Sequence, residues 1–203
     1  MKTFCKKILN SKTGQSLLEM LIAIFVLVIA LTATLVLISS SISAGRESKY
    51  RLTSNSLARE GIEIVRNIRD SNWIDSSSSS WNAGLYTDTT AIPVIDGSSP
   101  ISLDFSADSF SGGIDRIKQN TNDYLQGSAV AGIDSVFFRM IFLEPICRQG
   151  DGDESFAAAN TAGNDCGGDD EVGVRVRSEV RWPSFSSNKK VVLEERLYDW
   201  QTF

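Results

Sequence analysis

The 203-residue chain contains no histidine. That absence removes the commonest general base and the commonest zinc ligand together. Asp, Glu, Lys and Ser remain, but they form no recognisable catalytic set, and no enzyme activity is expected. Cysteine is scarce, with Cys5, Cys147 and Cys166 the only three. Charge is missing altogether from Met20 to Ile38, a run of nineteen residues. At ~1.5 Å rise per residue, a helix of that length nearly spans the hydrocarbon core of a bilayer. Basic residues are outnumbered, 20 against 25 acidic. Four of the lysines (Lys2, Lys6, Lys7 and Lys12) lie in the first fourteen residues, which hold no acid. Without that segment the balance is 16 to 25, a formal net charge of −9. Nucleic acid is therefore not an expected partner, because phosphate binding needs a basic surface.

What is present starts with a junction. Lys12-Thr13-Gly14-Gln15-Ser16-Leu17-Leu18-Glu19-Met20 joins the basic segment to the uncharged run, with one carboxylate at its mouth. This resembles the signal of type IV prepilins and pseudopilins. The resemblance implies cleavage by a prepilin peptidase after Gly14, leaving residues 1–14 as the leader and Gln15 as the first mature residue. Leu17 and Leu18 match the apolar pair before the family's glutamate, here Glu19. Gln15 departs from the usual phenylalanine or methionine, which puts the family's N-methylation at Gln15 in question and leaves cleavage untouched. The lysines flanking the span place the N-terminus in the cytoplasm. The resemblance further implies a single-pass membrane protein before assembly, then an extracellular pilus or periplasm-spanning pseudopilus. Its partners would be other pilin subunits, the peptidase, an inner-membrane assembly platform and the lipid bilayer. Glu19 would neutralise the new amine of a neighbouring subunit and set register. The chain reads as a minor pilin, with a type II secretion pseudopilin as the alternative. A secretory signal ending at Ala44 is the more distant alternative. Against it, such signals usually carry only about 7–15 apolar residues, and Glu19 stands where they avoid acids.

The expected fold is α+β, a long N-terminal helix packed on a C-terminal antiparallel sheet. Residues 15–75 form the helical part, with 20–38 transmembrane and 39–71 amphipathic. In the second half Leu57, Gly61, Ile64 or Val65, and Ile68 recur at helical spacing as one stripe. Gly45 and the serines before it are the expected soft spot. Residues 76–203 form a β-rich head. Its stretch from 82 to 126 reads as loop with one or two short strands. Three strands follow, over 135–143, over 172–182 where valines alternate with polar residues, and over 190–200. Together they make a meander with one face for the helix.

Within the head, Cys147 and Cys166 enclose a loop with little core of its own, and outside the cytoplasm they are expected to form a disulfide. Asp151, Asp153, Asp165 and Asp169 belong to acidic runs rich in hard oxygen ligands. They read as solvated loop, with calcium as the alternative cofactor. Arg175, Arg177 and Arg181 lie on one strand face, and pairing with Glu194 and Glu195 is preferred to an anion site.

Overall fold

The computed structural model describes residues 12–75, 80–85, 90–95, 101–107, 109–111, 113–120, 123–127, 130–156, 166, 168–184 and 187–200, with the backbone alone at 12–15. Among these residues the chain forms one helix and eight strands, the α+β arrangement expected. Helix α1 is Lys12–Ile74. The strands are β1 (Thr90–Val94), β2 (Ser102–Asp104), β3 (Arg116–Asn120), β4 (Asp123–Leu125), β5 (Ile133–Arg148), β6 (Glu154–Phe156), β7 (Asp170–Trp182) and β8 (Lys189–Tyr198). The chain divides into two compact units, Met1–Lys49 and Tyr50–Phe203. The second unit therefore takes in residues 50–74 of the helix together with the sheet. Residues 39–45, including Gly45, are helical.

Strand β5 organises the sheet. Along one edge it pairs antiparallel with β7, from Phe138↔Arg181 to Arg148↔Asp170, and β7 pairs in turn with β8. Along the other edge it takes β3, β1 and β6 in succession, each antiparallel. The expected three-strand meander is thus the order β5-β7-β8, with short β6 inserted between its first two strands in sequence. Period-two alternation decides which side chains meet the helix. Val174, Val176 and Val180 face it, while Arg175, Arg177 and Arg181 point the other way.

The core follows from that alternation. Ile62 and Val65 of α1 pack with Ile141, Leu143, Val174, Val176 and Leu197. One helical turn earlier, Leu57 and Ala58 pack with Phe137, Val180 and Trp182. Gly61 lies between these clusters, where a Cβ would stand 2.5 Å from Ser178 Oγ. Glycine is what lets the helix backbone approach the sheet so closely. On the opposite face of the sheet Met140 packs with Ile92 and Ala107 in a smaller core.

The stretch from 82 to 126 departs from expectation, since it supplies four strands and not one or two. β3 escapes a sequence reading because its residues are mostly polar, and β4 because it is only three residues long. Only Ile117 of Arg116-Ile117-Lys118-Gln119-Asn120 is buried, and pairing to β5 supplies the rest. Tertiary context settles such strands more than propensity does.

Candidate functional site

Two places in the chain carry features that folding alone does not explain. The first is the apolar half of α1. All seventeen large apolar side chains from Leu17 to Ile42 are between 49% and 67% exposed. Burying one such side chain is worth about 1.5–3 kcal/mol. Leaving seventeen in water forfeits on the order of 25–50 kcal/mol, well above the ~5–15 kcal/mol net stability of a domain. The helix is long and apolar enough, by length and composition, to cross a membrane.

Its polar groups are adapted to such surroundings. Thr32 donates to Ile29 O at 2.9 Å and Thr34 to Leu31 O at 2.8 Å. Ser40 donates to Leu37 O at 2.9 Å and Ser43 to Ser39 O at 3.0 Å. Each of these hydroxyls satisfies its hydrogen on the helix's own carbonyls, which lowers its cost in an apolar medium. Glu19 has no such relief. It is the single ionisable side chain between residues 16 and 45. It is exposed and makes no hydrogen bond or ion pair among the described residues. Gly14 and Gln15 lie in the first turn of α1 as backbone, and their side-chain surroundings fall outside the described residues.

The second place is the seat of α1 on the sheet. Arg139 of β5 is fully buried. Its Nη1 donates to Leu57 O at 3.0 Å and to Glu60 Oε2 at 2.7 Å, both on the helix. Its Nε donates to Oε1 of buried Gln126 at 2.9 Å, and Gln126 Nε2 donates in turn to the carbonyls of Asp115 and Arg139. Burial pushes the guanidinium below the ordinary arginine range, and the Glu60 carboxylate opposes that shift. One cation thus ties the helix, β5 and the segment before β3 together. Its signal in the sequence is a lone arginine inside Val136-Phe137-Phe138-Arg139-Met140-Ile141-Phe142, which sequence reasoning passes over.

Further along the seat, Arg66 pairs with Glu195 at 2.5 Å and with Glu63. The hydrogen bond from Arg66 to Glu195 holds the guanidinium above its usual range. Glu195 therefore serves the helix and not the arginine row, which corrects one of the expected pairings. In that row Arg175 pairs with Glu144 and lies 4.0 Å from Glu194. The three arginines also stack on rings, Arg175 over Phe156, Arg177 over Phe142 and Arg181 over Phe110.

Cys147 and Cys166 form the expected disulfide, with Cα atoms 5.5 Å apart. Beside it a turn closes through Gly152 N to Gln149 O at 2.9 Å, and Gly152 has a φ of 91° that favours glycine. Asp151 accepts the N–H of Asp153 at 3.1 Å within this turn. Among the described residues no group of three or more acidic or thiol side chains converges as a metal site. Asp151, Asp153 and Asp169 are therefore not brought together as ligands, and Asp165 lies outside the described residues.

No family model, curated protein or solved structure matches this chain. What it does must be read from its own residues.

Proposed function

We propose that this protein is a subunit of a type IV pilus-like filament, stored in the membrane and assembled through the apolar half of α1. The observation that carries the reading is one helix with two kinds of surface. Residues 16–44 offer an apolar cylinder with a single carboxylate, and residues 50–74 are built into a folded head. In a membrane tether alone, Glu19 would serve only as a favourable acid near the helix N-terminus at the interface; a filament gives it a partner. A carboxylate at a membrane helix centre costs ~2.5–3.5 kcal/mol on insertion scales, though less near the interface. In a filament that cost is offset when the carboxylate meets the amine created by cleavage after Gly14, on Gln15 of a neighbouring copy. The pair neutralises both charges in an apolar core and fixes the axial register.

Before assembly the lysine-rich segment lies in the cytoplasm and the disulfide-bonded head on the far side. Residues 1–14 are removed by a prepilin peptidase, and an inner-membrane platform drives assembly. The minor-pilin role and the pseudopilin role share this physics and differ in the machine served. The test is Glu19→Ala in the full chain. Cleavage should proceed largely as before, while incorporation into filaments falls sharply. Incorporation at the unaltered level would refute the role given to Glu19.

A further inference from the structure

Strand β8 forms one edge of the sheet, and among the described residues it pairs with β7 alone. The β7–β8 ladder runs from Gly173↔Tyr198 to Trp182↔Lys189 without a bulge. One bond shows which backbone groups of β8 are left over. Tyr198 lies opposite Gly173, and Asp199 N donates to Val172 O at 2.9 Å. In an antiparallel ladder such a bond flanks a widely spaced pair, so Lys189, Val191, Leu193, Glu195 and Leu197 are the residues bonded to β7. The N–H and C=O groups of Lys190, Val192, Glu194 and Arg196 therefore point out of the sheet edge. Tyr198 O points the same way and accepts from Arg69 Nη1 at 3.4 Å. The other four residues have no further backbone partner among the described residues. All four are exposed, including Val192 at 40%.

We infer that β8 of one copy pairs antiparallel with β8 of a second copy about a two-fold axis at Val192. An open edge is a template for another strand, and side chains select which strand and register. With Val192 opposite itself, Lys190 of each copy comes opposite Glu194 of the other, and Val191 opposite Leu193. Lys190 and Glu194 are 57% and 46% exposed, and their opposite charges within one copy lie at 3.4 Å and 4.0 Å. Lys189 and Glu195 also come opposite, but both are engaged within their own copy and carry none of the argument. Other registers set like charges directly opposite, which destabilises. Parallel pairing puts Lys190 on Lys190, a two-fold at Leu193 puts Lys190 on Arg196, and a two-fold at Glu194 puts that carboxylate on itself. The register at Val192 closes two backbone hydrogen bonds there and two at each Lys190–Glu194 pair. The contact is isologous and closes at two copies. It reverses residues 50–74 of α1, which lie on the sheet face, so the two copies are not neighbours in one polar filament. On the filament reading they belong to different filaments, while the pairing itself does not rest on that reading.

The experiment uses the full chain in detergent, in a Cys5→Ser background that leaves Cys147 and Cys166 as the only other cysteines. Opposite residues of a hydrogen-bonded antiparallel pair have Cα atoms ~5.5 Å apart, inside the ~4.4–6.8 Å that a disulfide spans. Val192→Cys should therefore cross-link to itself under mild oxidation, and Lys190→Cys mixed with Glu194→Cys should cross-link one to the other. Lys190→Cys alone should give at least ~10-fold less, because its two copies lie about 14 Å apart along the strands. Cross-linking of Val192→Cys no better than that of Lys190→Cys alone would overturn the pairing. Val192→Pro removes only an outward N–H, which an edge strand tolerates, so the melting temperature should shift by only a few degrees. Placed in both members of the Lys190→Cys and Glu194→Cys mixture, it should lower cross-linking at least ~10-fold by removing bonds at the two-fold. Undiminished cross-linking there would show that the backbone edge is not what pairs, and would overturn the inference equally. Glu19→Ala should leave the cross-link at its unaltered level while filament entry falls, so failure of the β8 pairing and failure of the filament reading are told apart.

Discussion

Glu60→Ala should destabilise the helix–sheet seat more than replacing the arginine it serves. Arg139 is fully buried while Glu60 is 41% exposed, and the two are 2.7 Å apart. Removing one partner of a buried pair usually costs about 3–5 kcal/mol, because an uncompensated charge stays inside. Water can reach the Glu60 side, so a discounted value applies, about 2–3 kcal/mol. Arg139→Met removes the charge and keeps much of the volume. Its main cost is the orphaned Gln126 Oε1, about 1–2 kcal/mol for a buried acceptor. Leu57 O keeps its helical bond as in any α-helix. The double variant should then cost no more than Arg139→Met alone, which makes the coupling energy about 2–3 kcal/mol. A unit of this size loses about 2–4 °C per kcal/mol. Glu60→Ala should therefore melt about 4–12 °C lower, followed by near-ultraviolet circular dichroism of the full chain in detergent. If the two single effects simply add in the double variant, Glu60 does not compensate the buried cation.

Other outcomes follow from single positions. Gly61→Val should cost about 2–3 kcal/mol by overpacking against Ser178, and Ser178→Gly in the same chain should recover part of it in thermal melts. Gly45 has no atom within 4 Å of where a Cβ would sit. Gly45→Ala should stabilise the helix there by up to ~1 kcal/mol, slowing amide exchange over residues 42–48 about fivefold. Reducing the Cys147–Cys166 disulfide should lower stability by roughly 3 kcal/mol, a fall of about 6–12 °C, and an unchanged melting temperature would refute that.

The long helix is legible in the sequence because its signals are local and repeated. Nineteen uncharged residues and a stripe at three- and four-residue spacing leave few other structures open, and the stripe positions Leu57, Gly61, Ile64 and Val65 are all buried. The valine alternation of β7 is legible for the same reason. β3 and β4 are not, since β3 is made a strand by pairing to β5 despite its polar residues, and short β4 by pairing to β3. Arg139 is equally hidden, because its partners Glu60 and Gln126 are distant in sequence and only the fold brings them together. Glu195 misleads a sequence reading because its neighbour is the one that meets the arginines. Adjacent strand positions point oppositely, so Glu194 faces the arginine row while Glu195 faces the helix. The mouth of α1, with Gly14, Gln15 and Glu19, is readable as chemistry from the sequence, because a lone acid beside an uncharged run is conspicuous anywhere.

A chain processed and assembled as a pilin carries the record of that processing in the first residue of its mature form. Mass spectrometry of the full chain co-expressed with a prepilin peptidase should find a start at Gln15, with or without a methyl group. A start at Gly45 would make the second unit a secreted soluble domain and contradict the filament reading. An intact Met1 in the presence of active peptidase would contradict it equally, leaving a membrane-anchored head that never enters a filament.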